Sequence, residues 1–135
     1  MKLLIGAFAL LISFWSTPAE PLTAEKTVDF SGLWINVDQK EPGITKCKIH
    51  YEDHRYVVQM WGACEPADCD WGETASAEIN REVNKFELLW NKVTFAESAI
   101  TYEMVDGKLK VTNKRHFKDS SGRPDYTLIE YFIRQ

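Results

Sequence analysis

Apolar and polar side chains alternate along most of this chain. In residues 45–51, Cys47, Ile49 and Tyr51 share one face, while two lysines and a histidine occupy the other. Residues 108–117 alternate in the same way. Successive side chains of a β-strand point to opposite faces of a sheet, so this spacing is typical of strands that bury one face. The pattern therefore predicts an all-β chain.

Eight segments of this kind follow one another, and turn-forming residues separate them. The strongest turn signal is Asp106-Gly107, a dipeptide typical of two-residue β-hairpins. Short strands with short connections predict an antiparallel meander, which eight strands can close into an up-and-down barrel; a sandwich is the alternative. The predicted strands are residues 30–38, 45–51, 55–62, 71–79, 85–91, 100–105, 108–117 and 126–134.

One stretch carries a second periodicity. Apolar residues follow one another there at spacings of four, three and four, as on one face of a helix: Ile79, Val83, Phe86 and Trp90. This stretch is therefore predicted either as strand and irregular chain or as one short helix near residues 78–90.

The first 19 residues have the composition of a cleaved secretory signal. Lys2 supplies one positive charge, thirteen mostly apolar residues follow, and small residues stand before a cut after Ala19. A membrane span needs about 20 apolar residues, which this run does not reach. We expect a secreted or periplasmic protein without a membrane span, with a flexible tail over residues 20–29 and a single domain over residues 30–135.

The charge balance bears on possible partners. Cleavage after residue 19 removes Lys2 but no acid, so the formal charge falls from −4 to −5 over the remaining 116 residues. An acidic chain without a cluster of Lys and Arg is a poor partner for nucleic acid or for an anionic membrane surface. Neither partner is expected.

The three cysteines divide into a pair and a single residue. Cys64 and Cys69 are separated by four residues that include the turn former Pro66, so their Cα atoms can approach within disulfide range. A zinc site would need two further ligands, so we predict a structural disulfide between Cys64 and Cys69. Cys47 falls on the apolar face of its predicted strand, where we expect a buried, unreactive thiol.

No catalytic constellation stands out. The sequence contains no H-E-x-x-H motif and no Gly-rich phosphate loop. His50 and His54 are four residues apart, which suits a metal on a helix but separates them by about 13 Å along a strand. We predict no enzyme activity, no metal site and no cofactor.

Aromatic side chains are numerous, with five Trp, five Tyr and seven Phe among 135 residues. At strand spacing they form either the core or a platform for a ligand. The candidate ligand contacts among them are Trp34, Trp61, Trp90 and Tyr102.

Polar side chains interrupt two apolar strand faces, Asn113 and Arg115 on the seventh strand and Glu130 on the eighth. An unpaired buried charge is costly. Arg115 and Glu130 therefore either pair with each other or bind a polar group of a ligand. The odd-numbered apolar residues of the last strand equally suit an inner face, so its orientation stays open.

Both ends of the predicted domain resemble the calycin barrels, which include lipocalins, fatty-acid-binding proteins and avidin-like proteins. Gly32-Leu33-Trp34 matches their Gly-x-Trp on the first strand, and Arg134 matches their basic residue on the last strand. The resemblance implies that Trp34 closes one end of the barrel and that Arg134 packs across it. Two further motifs are similar to those of uncharacterised secreted bacterial proteins: Cys64-x4-Cys69-Asp70-Trp71-Gly72 and Asp119-x-Ser121-Gly122-Arg123-x-Asp125-Tyr126.

Three functions follow as alternatives. The resemblance implies a carrier of a small apolar or aromatic ligand held in the barrel mouth. A protein-binding module is the second, because some bacterial calycin barrels inhibit proteases with a flexible segment before the Gly-x-Trp strand, and residues 20–29 have a suitable length. The third is a structural envelope protein. An empty interior with Arg115 inside favours the first, whereas an interior packed with aromatic side chains favours surface binding.

Overall fold

The computed structural model describes residues 12–13, 15–16, 28–38 and 43–135. Apart from those four early residues, the predicted signal segment lies outside the described residues, as do residues 20–27 of the predicted tail. No helix of the described part is long and apolar enough to cross a membrane.

Eight antiparallel strands form a single sheet in the described chain, and no helix is found there. The prediction of an all-β fold with eight strands is confirmed, and every strand overlaps its predicted segment. The strands are β1 (Gly32–Asn36), β2 (Ile44–Glu52), β3 (Arg55–Gly62), β4 (Cys69–Ala75), β5 (Lys85–Trp90), β6 (Ala96–Val105), β7 (Lys108–Phe117) and β8 (Tyr126–Arg134).

The strand order makes the sheet a nearly closed up-and-down barrel. Strands pair with their sequence neighbours, and β1 also pairs with β8, in the order β4-β3-β2-β1-β8-β7-β6-β5. Only β4 and β5 are consecutive strands without a shared ladder in the described sheet. The barrel, rather than the sandwich, is the observed architecture.

Strand β5 settles the ambiguous stretch. Phe86, Leu88 and Trp90 are buried while the residues between them are exposed, and all six residues pair with β6. Ile79 and Val83 precede the strand and pack against the edge of the core from irregular chain. The short-helix alternative is therefore wrong, because the two-residue period of β5 buries its apolar side chains and its backbone is satisfied by β6.

The predicted Asp106-Gly107 hairpin is confirmed. Both residues have positive φ, 51° and 77°, as the favoured two-residue turn requires, and the β6–β7 ladder extends from this turn over ten residue pairs. A second turn of this kind joins β2 to β3 at Asp53 and His54.

One end of the barrel is filled by aromatic rings, and we call it the packed end. It lies where β2 and β6 end and where β3 and β5 begin. Phe86 stacks on Tyr56 and on Tyr102 with centroid separations of 4.3 and 4.9 Å. Phe30 meets Phe86 edge-on at 5.0 Å. Aromatic pairs of this kind contribute about 0.5–1.5 kcal/mol beyond the area that they bury.

Trp34 is also buried at the packed end. Its indole Nε1 donates a hydrogen bond to the backbone oxygen of Phe30 at 2.8 Å. The guanidinium carbon of Arg134 lies 4.6 Å from the Trp34 ring centroid. Gly32, at φ 131°, lies against the Arg134 side chain. The calycin resemblance implies this contact between Arg134 and Trp34.

Alternation on β8 fixes which of its faces points inward. Phe132 is fully buried, whereas the odd-numbered apolar residues on either side are exposed. The alternative orientation, with the other face of β8 inside, is therefore wrong. It would have placed these residues inside the barrel: Ile129, Tyr131 and Ile133.

Candidate functional site

The end of the barrel opposite the packed end opens into a cavity of about 790 Å³, which we call the mouth cavity. It lies where β3, β5 and β7 end and where β2, β4, β6 and β8 begin. Its volume falls within the range of about 300–1,000 Å³ that is typical of small-molecule sites. Most of its lining is apolar, and the apolar contributors include Ile44, Trp71, Trp90, Val93, Phe95, Phe117, Tyr126 and Leu128.

Arg115 lies in the mouth cavity on the inner face of β7. Its Nη1 donates a hydrogen bond to Oγ of Ser98, its partner on β6, at 3.2 Å. Its guanidinium carbon lies 5.8 Å from the ring centroid of Phe117. Arg115 forms no ion pair within the described residues. A guanidinium carries five N–H donors, so most of them are available to a bound molecule.

Glu130 lines the mouth cavity from β8, and neighbouring polar groups bind its carboxylate. The carboxylate accepts a hydrogen bond from Nδ2 of Asn36 at 2.5 Å and from the backbone N–H of Ile44 at 3.2 Å. Burial raises the pKa of this carboxyl above its usual value, although the two hydrogen bonds oppose that shift. A Cβ on Gly43 would lie 2.6 Å from the Glu130 carboxylate, so a glycine allows this close approach.

The hypothesis that Arg115 and Glu130 pair with each other is wrong. Both residues line the mouth cavity and lie in the described chain, yet each has its own uncharged partners. The Arg115 guanidinium therefore lies in the cavity without an ion-pair partner among the described residues.

Asn113 lies two residues before Arg115 on the same inner face of β7. Its side chain is only 4% exposed, and it lines the mouth cavity. Its Oδ1 atom has no hydrogen-bond partner in the described structure. Its ladder neighbours are the apolar residues Ile100 and Leu128, which explains why the wall of the barrel offers it none.

Two more cations lie at the rim of the mouth cavity. Nζ of Lys92 is 5.5 Å from the Trp90 ring centroid. A Cβ on Gly72 would lie 2.9 Å from the same nitrogen. Because Gly72 belongs to β4 and Lys92 follows β5, the lysine side chain crosses the gap between the two unpaired strand edges. Three cations thus outnumber the Asp70 and Glu130 carboxylates that line the same cavity, which favours a ligand with negative or partly negative groups.

Arg123 is the other rim cation, and its own loop orients it. Its guanidinium lies 4.2 Å from the Phe117 ring centroid, and Nη2 donates to the Asp119 carboxylate at 2.8 Å. The Asp119 carboxylate also accepts hydrogen bonds from Ser121, and these contacts lower the pKa of Asp119. This network gives the late Asp-x-Ser-Gly-Arg motif a structural role at the rim.

The predicted disulfide is confirmed. Cys64 and Cys69 are bonded, with their Cα atoms 5.4 Å apart, and they join the end of β3 to the start of β4 beside the cavity. The hydroxyl of Thr45 donates to the Asp68 carboxylate at 2.8 Å, which attaches this loop to β2. The loop and its disulfide thus form part of the rigid rim.

Trp71 enters the barrel directly after this loop. It packs against the core and lines the mouth cavity. A Cβ on Gly62 of the adjoining strand would overlap the Trp71 ring, so the glycine makes room for the indole. Trp71 is not among the ligand contacts predicted from the sequence, although its position beside the disulfide loop was a signal for it.

The six predicted ligand contacts separate into two groups. Trp90, Arg115 and Glu130 line the mouth cavity. Tyr102 is fully buried at the packed end, where its hydroxyl contacts Sδ of Met60 at 3.1 Å, and Trp34 is buried there too. Trp61 lies on the outer face of β3, with Nζ of Lys46 at 4.7 Å from its ring centroid. The cavity is therefore not lined by Trp34, Trp61 or Tyr102.

The histidines lie apart from the cavity. His50 contacts Glu52 at 3.2 Å, and His116 contacts Asp125 at 2.8 Å, both among exposed side chains. Within the described residues, no group of three or more metal-ligating side chains comes together.

Comparisons of this chain with protein-family models, with curated proteins and with solved structures give no match.

Proposed function

We propose that this protein is an exported, calycin-like binding protein that holds a small apolar or aromatic ligand in the mouth cavity. The supporting observation is an empty space of about 790 Å³ at one end of a barrel whose other end is filled by aromatic side chains. A filled barrel would have to act through its outer surface. Because the packed end is filled, the mouth cavity is the space inside the barrel that a small ligand could occupy.

The apolar lining supplies the affinity in this proposal. Apolar ligand surface that is removed from water contributes about 25 cal/mol per Å². The half-buried indole of Trp71 offers apolar surface to such a ligand, whereas Trp90, at 6% exposure, forms part of the buried wall. Because paired strands and the Cys64–Cys69 bond hold the cavity in shape, binding loses little conformational entropy.

Arg115 supplies the polar selectivity. Its guanidinium has only donors, and Ser98 takes one of them. A carboxylate, sulfonate or carbonyl group on the ligand is the natural acceptor for the others. We therefore expect a ligand with an apolar body and at least one anionic or carbonyl group.

The compartment and the family are part of the same proposal. A signal-like segment over residues 1–19 and a disulfide between Cys64 and Cys69 fit export to an oxidising compartment. The packing of Arg134 across Trp34, next to Gly32, supports the calycin relationship.

Native mass spectrometry of protein taken from its own host tests the proposal. We expect the wild type to retain a small molecule that is lost in Arg115→Met, which keeps the bulk of the side chain but removes its charge. Lys114→Met is the matched control, because Lys114 is exposed on the outer face of the same strand. If the wild type and the control retain nothing, the cavity proposal fails.

The protein-binding alternative stays a prediction. Its segment, residues 20–29, is described only at Val28 and Asp29: Val28 packs against the core, and the backbone oxygen of Asp29 accepts a hydrogen bond from Arg134. Recovery of a protein partner by the wild type, lost on deletion of residues 20–27, together with no retained small molecule, would favour this alternative.

A further inference from the structure

We propose that the outer wall of the barrel over β7, β8, β1 and β2 binds the surface of an anionic lipid bilayer. This surface lies outside the mouth cavity, so the inference goes beyond the proposed function. An apolar stripe follows the middle of the wall, and lysines border the stripe on both sides. We call the stripe and its lysines the basic wall.

The apolar stripe forms where β1 pairs with β8. The inner residues of both strands are buried or line the cavity, so the residues between them point outward. Ile35 is the ladder partner of Ile133, and the backbone N–H of Val37 donates to the Tyr131 oxygen at 3.0 Å. A contiguous exposed apolar surface marks a contact with a partner or a membrane. The stripe consists of Leu33, Ile35, Val37, Ile129, Tyr131 and Ile133.

Lysines lie on the two strands that flank this stripe. On one side, β2 contributes Lys46 and Lys48, which are ladder partners of stripe residues on β1. On the other side, β7 contributes Lys108, Lys110 and Lys114 from its outer face. None of the five forms an ion pair with another described residue, although Nζ of Lys46 also contacts an aromatic ring of β3.

Acidic side chains are few on these four strands. Glu130 points into the mouth cavity, and Glu52 lies at the end of β2, where it contacts His50. On the adjoining strand β6, Glu103 is the ladder partner of Lys110. The chain carries 20 Asp and Glu against 16 Lys and Arg, so the sign of the wall is opposite to that of the protein. A positive face on an acidic protein directs that face toward an anionic partner.

The sequence does not show this cluster, because 60 positions separate Lys48 from Lys108. The two rows come together through the pairing of β1 with β8. The expectation that an anionic membrane surface is a poor partner rested on the absence of a lysine cluster, which the folded chain contains.

Charge argues against a second copy of this chain as the occupant. A two-fold contact between two such walls would place lysine rows against lysine rows, and like charges across an interface are unfavourable.

Composition and shape favour lipid over another protein. Lysine is depleted at protein interfaces, whereas arginine and aromatic residues are enriched there. The basic wall has five lysines, and Tyr131 is the one aromatic residue of its stripe. The outside of a barrel is convex, so the aliphatic middle meets a flat bilayer first. Lysine side chains are long enough to extend from the flanks to the lipid phosphates.

Vesicle binding tests the proposal. Protein taken from its own host is mixed with vesicles of phosphatidylcholine alone, or of phosphatidylcholine with one third phosphatidylglycerol, and the bound fraction is measured by flotation. We expect binding to the anionic vesicles only, weakening as salt screens the lysines. Equal binding to both vesicles, or none to the anionic ones, would overturn the proposal.

Lysine variants test the charge of the wall. Lys48→Gln and Lys108→Gln remove one lysine from each row, and each should weaken binding to anionic vesicles about fivefold, or about thirtyfold together. Lys85→Gln is the control, because it removes the same charge from an exposed position on the outer face of β5. A similar loss in Lys85→Gln would show a response to net charge alone and would contradict the role of the wall.

A second pair of variants tests the apolar stripe. Ile133→Thr keeps a branched side chain suited to a strand and should weaken binding about fivefold. Leu89→Thr, at an equally exposed position of β5, should change it little. Phe95→Ala alters the rim of the mouth cavity. If Phe95→Ala weakens vesicle binding and Ile133→Thr does not, the mouth meets the bilayer and the proposal is wrong.

Other occupants of the wall give different results. Sedimentation velocity without lipid should show a monomer, and a dimer that Ile133→Thr dissociates would assign the stripe to a second copy. Recovery of a protein partner by the wild type but not by the double lysine variant, without vesicle binding, would assign the wall to a protein. Either result overturns the lipid proposal. Retention of a small molecule in the mouth cavity is measured separately, so the proposed function stands or fails independently.

Discussion

Glu130 is a partly buried carboxylate that is bound by uncharged donors. Asn36 and the backbone of Ile44 donate to it, while Arg115 contacts Ser98 on β6. Hydrogen bonds from neutral groups recover only part of the hydration that the carboxylate loses on burial. The pKa of Glu130 is accordingly raised, with burial as the largest cause.

This raised pKa predicts a pH dependence of stability. The folded state binds the Glu130 proton more tightly than the unfolded chain does, so the contribution of Glu130 to the free energy of unfolding is largest below the ordinary glutamate pKa. It is lost as the pH rises through the raised value. Urea unfolding of the wild type and of Glu130→Gln between about pH 3.5 and pH 7 measures it. The wild type should lose stability relative to the variant as the pH rises; a relative gain would contradict the prediction.

A second prediction concerns the reactivity of the Cys47 thiol. The thiol is fully buried on β2, and burial raises its pKa well above the usual range, with the nearby Glu130 charge adding to the shift. Alkylating agents react with the thiolate, so the folded protein should take up no label. Denaturation without reductant should expose one thiol, and reduction should expose three. Label on the folded protein would show that the core around Cys47 opens.

Alternation placed Arg115 on an inner face, left the face of Glu130 open, and predicted the partners of neither. Both residues line the cavity. The partner of Glu130 is Asn36, 94 positions away in the sequence, and this contact depends on the closure of β1 on β8. A pattern with a period of two residues has no information about such pairing, because each strand is analysed alone.

At the scale of elements, local sequence and tertiary pairing agree except at β5. The residues that alternate on β5 also belong to a series with helical spacing, since Phe86 and Trp90 are four residues apart. Six ladder pairs with β6 decide in favour of the strand. Propensity and period are weak where a segment is this short, and the neighbouring strand determines its structure.

The start of β1 and the end of β8 support the packed end. Replacing Trp34 tests how much this support contributes to stability. The indole is buried, bonded to the Phe30 carbonyl and covered by Arg134. Trp34→Ala should lower the free energy of unfolding by about 3–5 kcal/mol, the range for the loss of a large aromatic side chain from a core.

Arg134→Ala is the matched comparison, because Arg134 is exposed and its ring contact contributes about 0.5–1 kcal/mol at such a site. Chemical denaturation of both variants gives the two values. A Trp34→Ala variant as stable as the wild type would show that the indole does not support the barrel end.

At the scale of the molecule, the two ends of the barrel differ in how tightly their side chains pack. The packed end places Phe86 between Tyr56 and Tyr102, whereas the other end leaves about 790 Å³ between its side chains. The sequence predicted the barrel and the inner faces of β2 and β7, but it left the face of β8 open and counted Trp61, on the outer face of β3, among the ligand contacts. It did not predict this division, because both ends carry aromatic residues and only the packing of eight strands decides where space remains.

The last prediction compares two phenylalanines, one at each end of the barrel. Phe86 is 2% exposed within the packed end, and Phe95 is 41% exposed at the rim of the mouth cavity. Phe86→Ala should cost about 3–5 kcal/mol of unfolding free energy. Phe95→Ala should cost less than about 1 kcal/mol, and it should weaken the binding of 1-anilinonaphthalene-8-sulfonate, measured by fluorescence titration.

Leu89→Ala, on the exposed outer face of β5, is the control and should change neither stability nor dye binding. Equal losses of stability at Phe86 and Phe95, or unchanged dye binding in Phe95→Ala, would contradict the division of the barrel into a structural end and a binding end.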